Sequence, residues 1–163
     1  MAATGRAIGC GQTAAMRSSA HTPHPESERE SAQRGRILIV EDDPDTALFI
    51  TYVLTSRGLF DVAHTADPAA ALALAAAGAW DLVLTDLELP VMSGYELVAA
   101  LRLVAPGLRV VLMSAMAPGD QATGGPASRP DAILAKPVTA DHLLATVAAV
   151  MSGSEPPPSA HAQ

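Results

Sequence analysis

The chain has 163 residues, 49% of them apolar and only 3% aromatic, with a formal net charge of −7. That length suits one ordinary domain with tails to spare, and the apolar share allows one substantial core of Leu, Val, Ile and Ala. Residues 36–152 hold six basic side chains against thirteen acidic ones, so the tails cancel and no basic patch is dense enough for direct nucleic-acid binding.

Cys10 is the only cysteine, which rules out an intramolecular disulfide and makes a reducing compartment the default. Ala7-Ile8-Gly9-Cys10 faintly resembles a lipoprotein cleavage site. The preceding Thr4-Gly5-Arg6 is not an apolar run, so a signal peptide is not expected. No stretch approaches the roughly 20 apolar residues that span a bilayer. The expectation is a cytoplasmic protein without a membrane partner.

Residues 1–35 lack a sustained apolar period, and His21–Glu30 cannot bury enough apolar surface to order itself. A disordered tail is expected there, with a short helix near Glu26–Arg34 as the alternative. Arg36–Val40 is an uninterrupted β-branched run, the pattern of a strand covered on both faces. Pro44 opens a helix to about Arg57, with Leu48, Ile50, Tyr52, Val53 and Leu54 expected on its inner face and Gly58 ending it. Phe60–His64 is a weaker strand. Asp67-Pro68 then caps a helix of alanines running to Gly78.

Asp81–Thr85 is a third strand, and Ser93 starts a helix containing Tyr95, Leu97, Val98 and Leu101. Arg109–Met113 and Ala132–Ala135 read as strands four and five. A last helix from about Thr139 turns Leu143, Leu144, Val147 and Val150 inward. Residues 153–163 include Pro156-Pro157-Pro158 and read as a disordered, extended Pro-rich tail. Metal binding by His21, His24 and His161 is not expected from histidines scattered in such tails. Five strands alternating with helices imply a parallel sheet with right-handed crossovers and a site beyond the strands' carboxyl ends.

Those ends carry Glu41-Asp42-Asp43, Asp86, Ser114 and Lys136-Pro137. Three carboxylates gathered at one edge repel each other and call for a cation; Mg²⁺ binds through one or two carboxylates with phosphate oxygens and water. Lys136 is the only lysine beside nine arginines, and it ends an apolar strand. An ammonium there suits a phosphate oxygen as a point charge, or an ion pair that ties strand five to strand one. Asp43 and Asp45 read as acid in the first turn of a helix.

Taken together, Ile37–Asp43, Asp81–Gly94, Val110–Ala115 and Lys136-Pro137 resemble the receiver domains of bacterial response regulators over nearly all of residues 36–151. The 28 residues from Asp86 to Ser114 and the 22 from Ser114 to Lys136 match as well. The resemblance implies a flavodoxin-like, three-layer (βα)5 domain over residues 36–152 with strand order 2-1-3-4-5. It implies Asp86 as phosphoacceptor, with Ser114 bonding the phosphoryl group and Lys136 pairing with it. Metal ligands would be Asp42 directly, Glu41 through water, Asp86, and the backbone carbonyl of Glu88. The implied cofactor is Mg²⁺, and the implied partner is a sensor histidine kinase or phosphotransfer protein. In this family the Lys–Pro bond is cis, which would aim Lys136 into the site. No enzymatic activity is expected beyond phosphorylation and dephosphorylation of Asp86 itself.

Three departures stand out. Ile133 occupies the position where many receivers carry a rotating aromatic ring. Residues 117–130 are too rich in Gly and Pro for a good helix between strands four and five, so the family's fourth helix should be short or irregular. Glu88 puts an acid close to the expected phosphate. With no output domain recognised after residue 152, the expectation is a stand-alone phospho-switch acting on a protein target. A non-switching, receiver-like interaction module is one alternative. A phosphatase of the haloacid dehalogenase type is another, disfavoured because Glu88 stands where that family has a second Asp.

Overall fold

The structure is a computed structural model that describes residues 34–56, 58, 60–78, 80–115 and 125–157. Residues 1–33 of the tail expected over 1–35, with all but Arg34 of its alternative helix, residues 117–124 of the Gly/Pro segment, Arg57 and residues 158–163 lie outside the described residues. So do the tail histidines. Gly35 already belongs to the first strand.

Strands β1 (Gly35–Val40), β2 (Phe60–Thr65), β3 (Leu82–Asp86), β4 (Arg109–Ser114) and β5 (Ala132–Ala135) form one parallel sheet in the order 2-1-3-4-5. Helices α1 (Pro44–Thr55), α2 (Pro68–Ala76), α3 (Gly94–Val104) and α4 (Ala140–Ser152) make the crossovers. Between β4 and β5 the described residues hold one turn of 3-10 helix, Pro126–Ser128. The short or irregular element expected there is what the described part contains.

Side-chain alternation splits the core in two. Ile37 and Ile39 point to the face where α1 and α4 supply Ile50, Val53, Leu54, Leu143, Val147 and Val150. Leu38 and Val40 point to the opposite face, against Ala71 and Ala75 of α2 and Leu97, Val98 and Leu101 of α3. A strand with period two and both faces covered must be apolar where it is covered, which is why Ile37–Val40 of β1 and Leu82–Leu84 of β3 are apolar without a break.

The helix starts follow local chemistry. Asp43 caps α1 by accepting from Asp45 N–H and Thr46 Oγ1 at 3.0 and 2.8 Å, with Pro44 in the first turn. Asp67 caps α2 ahead of Pro68, and Ser93 with Glu96 forms a reciprocal capping box on α3. Thr139 caps α4. The inner face expected for α1 needs correction. Ala47, Ile50, Val53 and Leu54 are buried, whereas Leu48 and Tyr52 are 69% and 70% exposed. Six apolar residues within seven positions cover more than one helical face, and only contact with the sheet selects the ridge that is buried.

One close approach brings a helix start against the end of β3. A Cβ built on Gly94 would lie 2.4 Å from the Asp86 carbonyl oxygen and 2.5 Å from Leu112 Cδ1. Gly94 N–H meanwhile donates to Leu87 O at 2.8 Å. Backbone cannot yield as a flexible side chain can, so Gly94→Ala should cost about 3 kcal/mol. The check is the fall in urea midpoint at unchanged denaturant slope; an unaltered midpoint would mean the contact is slack.

Candidate functional site

The carboxyl ends of β1, β3, β4 and β5 bring Glu41, Asp86, Ser114 and Lys136 to one edge of the sheet. Register does this: Val40 pairs with Thr85, Asp86 with Met113, and Ser114 with Ala135, so the polar residue closing each strand falls at nearly one level. Lys136 N–H donates to Ser114 O at 2.7 Å, extending the β4–β5 ladder by one rung. The Lys136–Pro137 bond is cis.

Lys136 Nζ lies 2.8 Å from Asp86 Oδ2 and 3.0 Å from Glu41 Oε2. Glu41 and Asp86 are 1% and 6% exposed, so both acids have been taken out of water. Burial, reinforced by the charge of Asp86, pushes the Glu41 carboxyl above its ordinary pKa, and the Lys136 hydrogen bond opposes that rise. Burial also works against the Lys136 ammonium, but hydrogen bonds to Asp86 and Glu41 and their negative charge win, and its pKa is raised. The counter-charge the sequence sought in a metal is thus half supplied by the chain itself. The tether from strand five to strand one is present, and it extends to strand three.

One carboxylate oxygen from each of Glu41, Asp42 and Asp86 lies within 4.8 Å of the other two. Asp42, unlike its two neighbours, is exposed, and among the described residues it makes no hydrogen bond or ion pair. An all-oxygen, anionic donor set with one face open to water fits a hard divalent cation that keeps part of its hydration shell. Glu88 lies in the turn between β3 and Ser93, exposed and two residues past Asp86. Ser114 is buried at the end of β4.

Residues 37–148 match the response regulator receiver domain. The chain belongs to that family. Over 125 residues, this receiver domain is 36% identical to the DNA-binding response regulator MtrA of Mycolicibacterium smegmatis, covering 77% of this chain and 54% of that protein. Over 120 residues it is 33% identical to the cell cycle response regulator CtrA of Brucella ovis, covering 74% and 51%. The chain spans about half the length of the curated relatives it matches.

Among solved structures, the chemotaxis response regulator CheY4 of Vibrio cholerae superposes with a TM-score of 0.66 at 26% identity, over 72% of this chain and 98% of that one. The receiver domain of the sensor histidine kinase PA1611 of Pseudomonas aeruginosa, which has a magnesium ion in its active-site cleft, gives 0.66 and 26% over 73% and 98%. Receiver domains are phosphoacceptors of two-component systems rather than enzymes acting on separate substrates. Among the described residues of this one, no helix is long and apolar enough to cross a membrane.

Two features near the site had no signal in the sequence. A cavity of about 340 Å³ beside Lys136 is lined by Asp45, Thr46, Phe49, Pro137 and Val138, which meet only when α1 packs next to the β5–α4 turn. His64, at the end of β2, donates from Nε2 to the Glu41 carbonyl at 2.8 Å. A lone histidine in a strand is ordinary, and only the β1–β2 register joins it to the acidic pair.

Removing the ammonium tests the electrostatics. Lys136→Met leaves two buried carboxylates without a counter-charge and should cost about 2–4 kcal/mol at pH 7, discounted because Lys136 is partly exposed. Glu41 then loses the partner that lowered its pKa, so the folded state binds its proton at higher pH than the unfolded chain does. Stability of the variant therefore rises as pH falls, and its deficit against wild type narrows between pH 7 and pH 4. In wild type the raised Lys136 pKa keeps its contribution whole through neutral pH, to be lost only in strong alkali. Denaturant melts at the two acid-side pH values check this; a deficit constant with pH would refute it.

Proposed function

We propose that the chain is a phospho-switch: Asp86 takes a phosphoryl group from the phosphohistidine of a sensor kinase or phosphotransfer protein, and Mg²⁺ is required. The observation that carries this reading is the buried Asp86 carboxylate 2.8 Å from the Lys136 ammonium, with oxygens of Glu41 and Asp42 alongside.

Phosphoryl transfer asks little covalent chemistry of the protein beyond an in-line nucleophile and neutralisation of the moving group. A carboxylate oxygen of Asp86 attacks phosphorus; the O–P bond forms as the N–P bond to the donor imidazole breaks, and the imidazole keeps the electron pair. Asp86 loses its own charge on becoming an acyl phosphate. Lys136 then follows the charge to the phosphoryl oxygens while keeping Glu41 as its second partner. Ser114 donates its hydroxyl to the same group. Asp42, Asp86 and the Glu88 carbonyl would hold Mg²⁺, with Glu41 acting through water, and the ion would supply the remaining positive charge. The exposed Glu88 side chain, two residues past Asp86, adds negative charge near the product.

The partner reading has its own support. Leu48, Phe49 and Tyr52 form an apolar, exposed strip on α1 beside the cavity that opens at Lys136. Large apolar side chains exposed together mark contact surfaces, and a donor docked there would reach Asp86. The curated relatives are described as DNA-binding or transcriptional regulators in several cases. Residues 36–152, with six basic against thirteen acidic side chains, form the switch and carry no dense basic patch.

Two experiments test these points. With a small-molecule acyl phosphate and Mg²⁺, the wild-type chain should gain one phosphoryl group, seen by intact-mass spectrometry, and should gain none with a chelator present. Asp86→Asn should keep its melting behaviour and gain none. Incorporation surviving in that variant would move the acceptor elsewhere, and none in wild type would favour the non-switching interaction module. For docking, Leu48→Glu/Tyr52→Ala should slow transfer from a phosphorylated kinase domain about tenfold or more. Labelling by the acyl phosphate should stay unchanged, and equal slowing of both reactions would remove the α1 strip from the donor contact.

A further inference from the structure

The parallel ladder between β1 and β2 runs in register from Gly35 opposite Phe60 to Val40 opposite Thr65. It continues for one rung, Glu41 N–H donating to Thr65 O at 3.3 Å. The next rung of such a ladder would be Asp67 N–H to the Glu41 carbonyl. That donor is diverted: as the chain leaves β2 to cap α2, Asp67 N–H bonds Thr65 Oγ1 at 3.1 Å. The Glu41 carbonyl has lost its sheet partner where the backbone enters the acidic pair. His64 Nε2 stands 2.8 Å from it. A carbonyl only accepts, so Nε2 carries the proton and donates.

The peptide held in this way joins Glu41 to Asp42. A peptide is planar, so fixing its oxygen fixes the direction in which the chain continues into Asp42. This matters for Asp42 more than for its neighbours. Glu41 is held by Lys136 and by Asp43 N–H, and Asp86 is held by Lys136. Among the described residues Asp42 has no bond of its own to aim its carboxylate, so its placement rests on the backbone.

We propose that His64 is a positioning residue for the cation site: by replacing the missing rung it pins the Glu41–Asp42 peptide and so sets the affinity for Mg²⁺. The inference rests on the reading of Glu41, Asp42 and Asp86 as that site. Outer contacts that orient ligands tune metal affinity without touching the ion.

The test is the Mg²⁺ dependence of the melting temperature of the full chain, whose midpoint concentration reports affinity through linkage. Wild type should be stabilised by MgCl₂. His64→Ala should melt normally without metal, since the side chain is exposed, yet need about three to ten times more Mg²⁺ to reach half of the shift. His64→Gln, whose amide nitrogen reaches about as far as Nε2 and donates in the same way, should restore the wild-type midpoint. If His64→Ala does not fold, His64→Asn, too short to reach the carbonyl, takes its place with the same expectation. An unchanged midpoint in His64→Ala, or no rescue by His64→Gln, overturns the positioning role and leaves the cation site standing. A wild-type chain indifferent to Mg²⁺ overturns the cation site, and this role with it.

Discussion

Two carboxylates from different strands are taken out of water at one edge of the sheet, and a single ammonium from a third strand sits between them. Buried singly, each of those acids would be strongly disfavoured in its charged form. Placed 3.0 and 2.8 Å from Lys136, both can be kept, and the end of β5, which no ladder hydrogen bond joins to β1 or β3, is tied to both. One positive charge against two buried negative ones, with exposed Asp42 beside them, leaves the site anionic. A site in that condition suits a cation, and under the proposed function Lys136 would gain a new partner when Asp86 becomes an acyl phosphate.

The rest of the fold serves that edge. Ile37–Val40 of β1 and Leu82–Leu84 of β3 are apolar because helices cover both faces, so polar chemistry is confined to where the strands start and stop. Those stops fall at one level because the ladder is parallel and in register. Each helix following a strand begins with its own cap, which turns the chain sharply and leaves the strand-end residue facing outward. Gly94 shows how tightly this is done: α3 begins so close to Asp86 that no Cβ fits between them. Helix α1 serves two ends, burying Ile50 and Leu54 in the core while Phe49 lines the cavity beside Lys136 and Leu48 and Tyr52 stay exposed.

Much of this was legible because it is local or periodic. The strand of Arg36–Val40, the Asp67-Pro68 start of α2 and the Ser93 start of α3 are written in consecutive residues, and β5 fell where its apolar run ends at a lone lysine. Asp86, Glu41 and Lys136 could be singled out because ionisable residues closing apolar runs have no structural reason to recur at several strand ends. The inner face of α1 was misjudged for the opposite reason. With Leu48, Phe49, Ile50, Tyr52, Val53 and Leu54 so close together, the helical period does not select a face.

The sequence by itself determined the alternation of strands and helices, the family and the set of ionisable residues available for chemistry, since these follow from propensity, capping and apolar period along the chain. Only the tertiary structure decided how those residues pair. That Lys136 neutralises Glu41 as well as Asp86, that Asp42 is left without a partner among the described residues, and that His64 takes the place of a missing rung at Glu41 all depend on register between strands far apart in sequence. Register is settled by packing both faces of the sheet at once, and no local pattern carries it.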